Sequence, residues 1–463
     1  MSTPQNFETL DLKQALIKTL ATLNYDAMTP VQAEALPPML EGADVLARAK
    51  TGSGKTAAFG LCLLNKLKPK QFQVQTLVLC PTRELADQVA KEVRRLARGI
   101  GNVKTLTLCG GSPLGPQIGS LQHSPHVVVG TPGRILQHLR KATLTLDAVA
   151  TLVLDEADRM LDMGFADELD EIIKFVPKQR QTLLFSATYP PGIKAISKRL
   201  QRDAVRVDVT TTEAPALITQ RWCKVTRDNR TTELVRALRV WGGELNLVFC
   251  NTKIDCAQVG EALRDQGIAA LALHGDLDQA ERNDVLVRFA NKSATVLIAT
   301  DVAARGLDVK NLDVVFNYEL PPQPETYVHR IGRTGRAGSQ GHAVSLVAER
   351  EQGRWRGIET LSSEPIPEAT VIPQTLSVAT KLDPTMTTLK INGGRKNKLR
   401  PGDLLGTLTA ERGVPGKSVG AIDLFDHCAY VAIANADAPR ALQQLTSRPI
   451  KGRKYRAWTV RMR

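Results

Sequence analysis

Two α/β domains in tandem, each built on a parallel sheet, with a small α+β domain after them: three features of the sequence predict this fold class. Short apolar, β-branched runs alternate with longer amphipathic stretches over roughly the first 350 residues, as in βαβ units, which make parallel sheets covered by helices. Two stretches without a sustained helical or strand period, 210–219 around Pro215 and 362–384 with four prolines, interrupt that alternation. Beyond the second stretch the order changes to β-α-β-β-α-β.

The strand-forming runs are, in order, 76–80, 127–129, 151–154 and 182–185 in the first α/β half, then 245–250, 295–299, 314–317 and 343–347 in the second. Amphipathic helices such as 83–98 and 254–266 lie between them. In the last segment a strand at 387–391 leads through a Gly/Lys/Arg loop to a helix opened by Pro401. Strands near 419–424 and 429–434, a helix at 438–445 and a strand at 455–460 complete the pattern of RRM-like domains. Domains are therefore expected at 1–209, 220–361 and 385–463, with linkers at 210–219 and 362–384. A length of 463 residues suits three domains at roughly 100–200 residues each.

The formal charge of +14 points to a polyanionic partner, because Lys and Arg neutralise phosphates and release counterions. Residues 380–463 carry 16 Lys/Arg against 6 Asp/Glu, an excess of +10 that leaves only +4 for the rest of the chain. A solvated surface is the plain alternative, but concentration in one segment favours a phosphate-binding module. The seven cysteines are odd in number, form no Cys-x-x-Cys pair and sit partly in apolar runs, which reads as reduced core cysteines of a cytoplasmic protein. The start MSTPQNFETL lacks the pattern of a secretory signal, and no apolar run approaches the roughly 18 residues of a membrane span.

Most of the strand-forming runs are followed by polar clusters: PTREL (81–85), TPGR (131–134), DEAD (155–158), SAT (186–188), NT (251–252) and TD (300–301). Ligands of open α/β sheets sit beyond the carboxyl ends of the strands, so these clusters imply a functional surface shared by the two α/β domains.

The stretch Ala49-Lys50-Thr51-Gly52-Ser53-Gly54-Lys55-Thr56 has the form of a phosphate-binding loop opening a helix. Its glycines let backbone N–H groups wrap phosphates, Lys55 reaches the β- and γ-phosphates, and the Thr56 hydroxyl can bind Mg²⁺. Ala49 stands where the strict pattern has Gly, and an ordinary Gly-rich loop before a helix is the competing reading. Asp155 and Glu156 can divide labour, Asp155 holding Mg²⁺ and Glu156 orienting and deprotonating an attacking water; alone, such a pair is more often a solvated helix start. The run His329-Arg330-Ile331-Gly332-Arg333-Thr334-Gly335-Arg336 can aim two guanidinium groups at a transferred phosphoryl group, or be a basic surface turn. Because it belongs to the second half, phosphoryl transfer would be coupled to domain closure.

Taken in order, Gln32, AKTGSGKT, PTREL, Gly110-Gly111, TPGR, DEAD, SAT, VFCNTK (248–253), ATDVAARGLDV (299–309) and HRIGRTGR resemble the DEAD-box RNA helicases. The resemblance implies two tandem RecA-like domains, ATP and Mg²⁺ as cofactors, and RNA-stimulated ATP hydrolysis. At matching positions it implies that Tyr25, Thr29 and Gln32 read adenine, with Tyr25 stacking on the base, although 24–29 (NYDAMT) departs from the usual Gly-aromatic and Pro-Thr pattern. It gives Thr51, Gly52, Ser53, Gly54, Lys55 and Thr56 to the phosphates, Asp308 to the ribose, Arg333 and Arg336 as arginine fingers, and Ser186 and Thr188 to the link between hydrolysis and strand separation. Pro81, Thr82, Arg83, Gly111, Thr131, Gly133, Arg134, Thr252, Arg282 and Thr300 match RNA-backbone positions, where contacts position a strand without reading it.

Specificity then falls to the C-terminal segment. The loop 391–403 (INGGRKNKLRPGD) places four basic residues between its first strand and helix, and the whole chain resembles the DbpA branch of the family. That resemblance implies an RRM-like domain that binds a hairpin of large-subunit (23S) ribosomal RNA near the peptidyl-transferase centre, and hence pre-ribosomal particles as partners in large-subunit assembly. The third strand of this domain offers only Tyr430 for stacking, so recognition is expected to rest on Arg395, Lys396, Lys398 and Arg400, with Lys451, Arg453 and Lys454 on phosphates, unless these merely solubilise. An ATP-gated RNA clamp, a general RNA chaperone without ribosomal specificity and a DNA-translocating helicase are the competing functions. The last is disfavoured by Gln32, DEAD and the RRM-like tail. Nothing in the sequence requires a membrane or an oligomer, and a monomer is expected.

Overall fold

The computed structural model describes residues 6–49, 52–209, 218–304, 312–335, 340–362, 364–370 and 382–460. They form two compact units, one holding a single sheet and the other holding two. No helix among the described residues is long and apolar enough to cross a membrane.

The first sheet comprises β1 (Val45–Arg48), β2 (Thr76–Leu79), β3 (Thr105–Leu108), β4 (Val127–Gly130), β5 (Thr151–Leu154), β6 (Gln181–Ser186) and β7 (Val205–Asp208), in the order β3-β4-β2-β5-β6-β1-β7. Every pairing is parallel. Helices cover both faces, so β2, β4, β5 and β6 are buried at every position. Leu77 and Leu79 point into one apolar layer and Val78 into the other, the two-residue alternation of a strand with a core on each side.

The second unit opens with β8 (Ile218–Val225), β9 (Asn246–Cys250), β10 (Ala270–Leu273), β11 (Val296–Thr300), β12 (Val314–Asn317) and β13 (Gly341–Ala348). Their order is β10-β11-β9-β12-β13-β8, again all parallel. The predicted fold class is the observed one, but the sequence reading missed β1, β3, β7, β8 and β10 as strands. Four of these are sheet edges. In β7 (VRVD) the edge position leaves only Val207 buried and the sequence mixed, whereas β10 (ALAL) is apolar and largely buried but has no β-branched residue to mark it as a strand. β1 is short and ends on Arg48, so it offers little apolar run to read.

The segment 362–384, expected as a linker without a sustained helical or strand period, is packed at both described ends. Pro367 O accepts from Trp222 N–H (3.1 Å) and Ala369 N–H donates to Trp222 O (2.7 Å), so this segment lines the outer edge of β8. Ile366 and Leu382 are buried in the second unit. Covering an edge with extended chain satisfies its exposed N–H and C=O groups. The segment 371–381 and most of the other expected linker, 210–217, lie outside the described residues.

The third sheet is antiparallel, with β14 (Met386–Ile391), β15 (Val419–Leu424), β16 (Ala429–Ala434) and β17 (Ala457–Thr459) in the order β15-β16-β14-β17. Helices Pro401–Leu408 and Ala438–Ser447 pack on one face over Leu389, Ile391, Val431 and Ile433. The other face meets helix Gln279–Ala290 and the turn after it. The Asp284 carboxylate pairs with Lys390 Nζ (2.8 Å) and accepts from the Tyr430 hydroxyl, while Asn291 Nδ2 (3.3 Å) and Ser293 Oγ (2.6 Å) reach Thr388 Oγ1. Asp284→Ala is expected to weaken this docking by about 1–3 kcal/mol, because it strands both the ammonium and the phenol. Small-angle scattering and limited proteolysis of the full chain would show it as a looser third domain; an unchanged scattering profile would count against Asp284 as the main tie.

Candidate functional site

In the first unit the nucleotide-loop sequence follows β1, and β1 lies beside β6, so the loop meets the SAT turn: Ala49 N–H donates to Ser186 O at 3.1 Å. Gly52 (φ +89°) and Gly54 (φ +96°) adopt the left-handed backbone that turns successive N–H groups to one side. A Cβ on Gly54 would stand 2.6 Å from Gln32 Nε2, so the position also needs glycine for space. Lys55 is buried at the start of helix Lys55–Lys66, with Nζ donating to Ala49 O at 2.9 Å; Ser53 and Thr56 are half-buried beside it. Thr51, expected among the phosphate contacts, lies outside the described residues.

Gln32 is 1% exposed on the first turn of helix Pro30–Glu41. Its Oε1 accepts from Thr29 N–H (2.9 Å) and its Nε2 donates to Gly54 O (3.1 Å), which ties the residues expected to read adenine to the phosphate loop. Tyr25 is held by Glu92, which accepts from its hydroxyl at 2.8 Å, and by Arg95, which donates to that hydroxyl at 3.1 Å and lies 5.4 Å from the ring centroid. Burial and the neighbouring Glu92 push the phenol up to about 12. Asn24, where the family usually has Gly, sits at φ +57°, a conformation Asn tolerates better than most residues.

The acidic pair follows β5. Asp155 is 2% exposed; burial raises its carboxyl to about 6, with Glu156 adding to the shift and Lys55 opposing it. Its Oδ1 is buried and has no hydrogen-bond partner, a leftover hard oxygen that suits a divalent cation. Together with the Thr56 hydroxyl, this donor set fits Mg²⁺. Glu156 opens helix Ala157–Asp162 in a left-handed conformation (φ +52°) unusual for a side-chain-bearing residue, and its Oε2 pairs with Arg159 at 2.8 Å. Asp158, not singled out from the sequence, binds the SAT turn: its Oδ2 accepts from Ala187 N–H (3.1 Å), Thr188 N–H (3.0 Å) and Thr188 Oγ1 (2.9 Å), while Ser186 Oγ donates to Thr188 O (2.6 Å). The DEAD sequence held the clue, since its fourth residue lies on the helical turn that Glu156 opens.

The positions matched to RNA backbone in this unit cluster at the ends of β2, β3 and β4. Pro81 and Thr82 are buried, and Thr82 Oγ1 caps helix Arg83–Leu96 by accepting from Leu85 N–H at 3.3 Å. Arg83 lies against Gly110 and Gly111; a Cβ on Gly111 (φ +73°) would collide with its guanidinium. Thr131 and Pro132 open helix Pro132–Arg140, Gly133 is exposed, and Arg134 donates to Ser112 O and Gln117 Oε1, each at 3.0 Å. Burial and then Arg83 lower the Arg134 guanidinium, placing two cations in one neighbourhood where an anion would relieve their repulsion.

In the second unit Arg330 is the hub. It is 1% exposed, and its five N–H donors all have partners: both Asp301 oxygens (2.7 Å each), Asn251 Oδ1 (2.8 Å), Glu319 O (2.6 Å) and Asn317 Oδ1 (3.3 Å). It thereby binds together the ends of β9, β11 and β12. Arg333 is buried one turn further on, and Arg336 and Asp308 lie outside the described residues. Thr252 caps helix Lys253–Asp265, Thr300 accepts from Ala303 N–H at 3.3 Å, and Arg282 is half-buried on helix Gln279–Ala290.

In the third domain Arg395, Lys396, Lys398 and Arg400 are exposed, as are Lys451, Arg453 and Lys454. The structure brings the two groups together: Lys451 Nζ donates to Lys398 O at 3.0 Å. Tyr430 does not fit its expected role. It is 1% exposed, packed edge-on against Phe425, with Lys390 over its ring and Asp284 on its hydroxyl, so no base can stack there in this arrangement.

Comparison with known proteins matches three family models: DEAD/DEAH box helicase over residues 29–196, helicase conserved C-terminal domain over 230–338, and DbpA RNA binding domain over 388–458. The chain is 52% identical over 451 residues to the ATP-dependent RNA helicase DbpA of Escherichia coli (strain K12), covering 97% of this chain and 98% of that protein. It is 46% identical over 354 residues to the ATP-dependent RNA helicase CshA of Listeria monocytogenes, covering 76% and 68%. Among solved structures, S. cerevisiae Dbp5 bound to RNA and ADP BeF3 superposes with a TM-score of 0.72 at 30% identity, covering 79% of this chain and 96% of that one. Mss116p bound to ssRNA and AMP-PNP gives 0.72 at 27% identity, covering 80% of each.

Two stability predictions follow from the buried charges. The folded pKa of Asp155 lies above the unfolded one, so its burden on stability appears as pH rises from about 4 to about 6 and is full above that. Asp155→Asn should therefore raise the melting temperature of the free protein at pH 8 and give little advantage at pH 4, which thermal melts across that range would test. Arg330→Ala should destabilise the second α/β domain by about 3–5 kcal/mol by stranding Asp301. Chemical denaturation would measure it, and a loss under 1 kcal/mol would contradict the hub role.

Proposed function

Because the chain belongs to the DEAD-box family of ATP-dependent RNA helicases and carries a DbpA RNA-binding domain, we propose that it locally separates short duplexes of 23S ribosomal RNA near the peptidyl-transferase centre during large-subunit assembly. The observation that carries the ribosomal part is the third domain's basic end. There the loop 395–400 and the turn 451–454 meet through Lys451 and Lys398, apart from the covered face of the sheet. Exposed cations of this kind bind phosphate without reading sequence, and their grouping on one module supports it as the part that docks on structured RNA, with selection left to contacts the loop makes to bases.

In this reading Lys55 and the backbone of 51–54 hold the ATP phosphates, Tyr25, Thr29 and Gln32 hold the adenine, and Asp308 holds the ribose. Glu156 orients the attacking water and takes its proton, with Arg159 fixing the carboxylate. Thr56 and Asp155 would hold Mg²⁺, which supplies charge neutralisation at the phosphates when bound. Arg333 and Arg336 stabilise charge on the transferred phosphoryl group. Asp158 passes changes at the acidic pair to Ser186 and Thr188. Arg83, Arg134 and the small or hydroxyl-bearing residues Pro81, Thr82, Gly111, Thr131, Gly133, Thr252 and Thr300, with Arg282, line the RNA backbone. The protein acts as a monomer in the cytoplasm, on RNA within pre-ribosomal particles.

Glu156→Gln is expected to bind ATP normally and to hydrolyse it about 10²–10⁴-fold more slowly; near-normal turnover would remove Glu156 from the role of base. ATPase stimulation by a peptidyl-transferase fragment should exceed that by unrelated RNA of equal length. Replacing Arg395, Lys396, Lys398 and Arg400 by Ala should abolish the preference. Equal stimulation by all RNAs in the unaltered protein would refute the ribosomal assignment, and hydrolysis without duplex displacement would indicate an ATP-gated clamp.

A further inference from the structure

We propose that Trp458, flanked by Arg456, is a stacking site for one unpaired RNA base at the edge of the third sheet. The inference rests on the third domain binding RNA and adds a contact that its basic loops do not supply. β17 alternates: Ala457 turns into the core, while Arg456 and Trp458 face the other side. On that side Trp458 pairs in register with Lys390, Lys390 with Tyr430, and Tyr430 with Asp423, so one row of side chains crosses all four strands. The middle of the row is closed, because Asp284 engages both Lys390 and Tyr430 while Asn291 and Ser293 engage Thr388. A base seeking a π-surface on this sheet is left with its edge.

Trp458 has the properties such a contact requires. It is 36% exposed, whereas Trp355 is buried against Trp222 at 5.6 Å between ring centroids. The Arg456 guanidinium lies 5.7 Å from the Trp458 ring centroid, a cation–π arrangement that holds the indole and adds positive charge beside it. The basic turn Lys451, Arg453 and Lys454 runs directly into β17, so a strand whose phosphates lie on the turn passes the indole next. Stacking is tolerant of base identity because every base has a π-face. Trp458 therefore adds affinity for an unpaired nucleotide and leaves sequence selection to the loop.

The test uses the full chain and a fragment of large-subunit ribosomal RNA spanning the peptidyl-transferase centre. Wild type, Trp458→Phe, Trp458→Leu and Trp458→Ala are compared with the Arg395→Ala/Lys396→Ala double variant by RNA titration and by tryptophan fluorescence. Trp458→Ala and Trp458→Leu should weaken binding roughly tenfold, with Trp458→Phe staying within about threefold of wild type. RNA should quench wild-type fluorescence, and the quench should be missing from Trp458→Phe. Wild-type affinity in Trp458→Leu would mean that the indole only packs, which overturns the proposal. If the double variant weakens binding and Trp458→Ala does not, stacking is refuted while RNA binding by the third domain stands; if neither weakens it, both fall.

Discussion

Charge buried at the carboxyl ends of parallel strands is the constraint from which most of this structure follows. With helices on both faces of each α/β sheet, polar chemistry has only the strand ends to occupy, and even there it is enclosed: Asp155, Glu156, Asp158 and Arg330 are all at most 5% exposed. An ion held in so little water is costly unless every lone pair and proton has a partner. Asp158 meets that demand with three donors from the 187–188 turn, and Arg330 meets it with five acceptors drawn from three strand ends. These bonds make the loops rigid, so stability and the placement of functional groups have one origin.

Asp155 departs from this pattern, and the departure is informative. A buried carboxylate oxygen without a partner destabilises the free protein, and an unpaired hard oxygen of this kind suits a divalent cation. The left-handed Glu156 beside it is a second local strain at the same point. Both sit on the short stretch between β5 and helix Ala157–Asp162, whose Asp158 grips the SAT turn. The acidic pair is therefore continuous, through Asp158, with the turn that carries Ser186 and Thr188.

The third domain solves a different problem. Its sheet face, the usual place for RNA on such a domain, is given over to helix Gln279–Ala290, whose Asp284 holds Lys390 and Tyr430, and to the turn after it, whose Asn291 and Ser293 hold Thr388. A row of polar side chains that could have met nucleotides instead fixes this domain on its neighbour. What stays open is the basic loop end and the β17 edge.

Much was legible beforehand because local chemistry leaves local marks. A fully buried parallel strand must be an apolar run, a phosphate loop must carry glycines where φ is positive, and a β-α-β-β-α-β order can be read from periodicity alone. Thus β2, β4, β5 and β6, Gly52 and Gly54, and the elements of the third domain could all be found in the sequence, whereas the edge strands β3, β7 and β8 could not, since they mix polar with apolar residues, nor could β10, whose Ala and Leu residues carry no β-branched signal. The sequence by itself determined the fold class, the family and the nucleotide chemistry. Only the tertiary structure decided that Asp158 serves the SAT turn, that Arg330 binds three strand ends together, and that Tyr430 is closed to bases while Trp458 is open, because each depends on which residues distant in sequence become neighbours once the chain has packed.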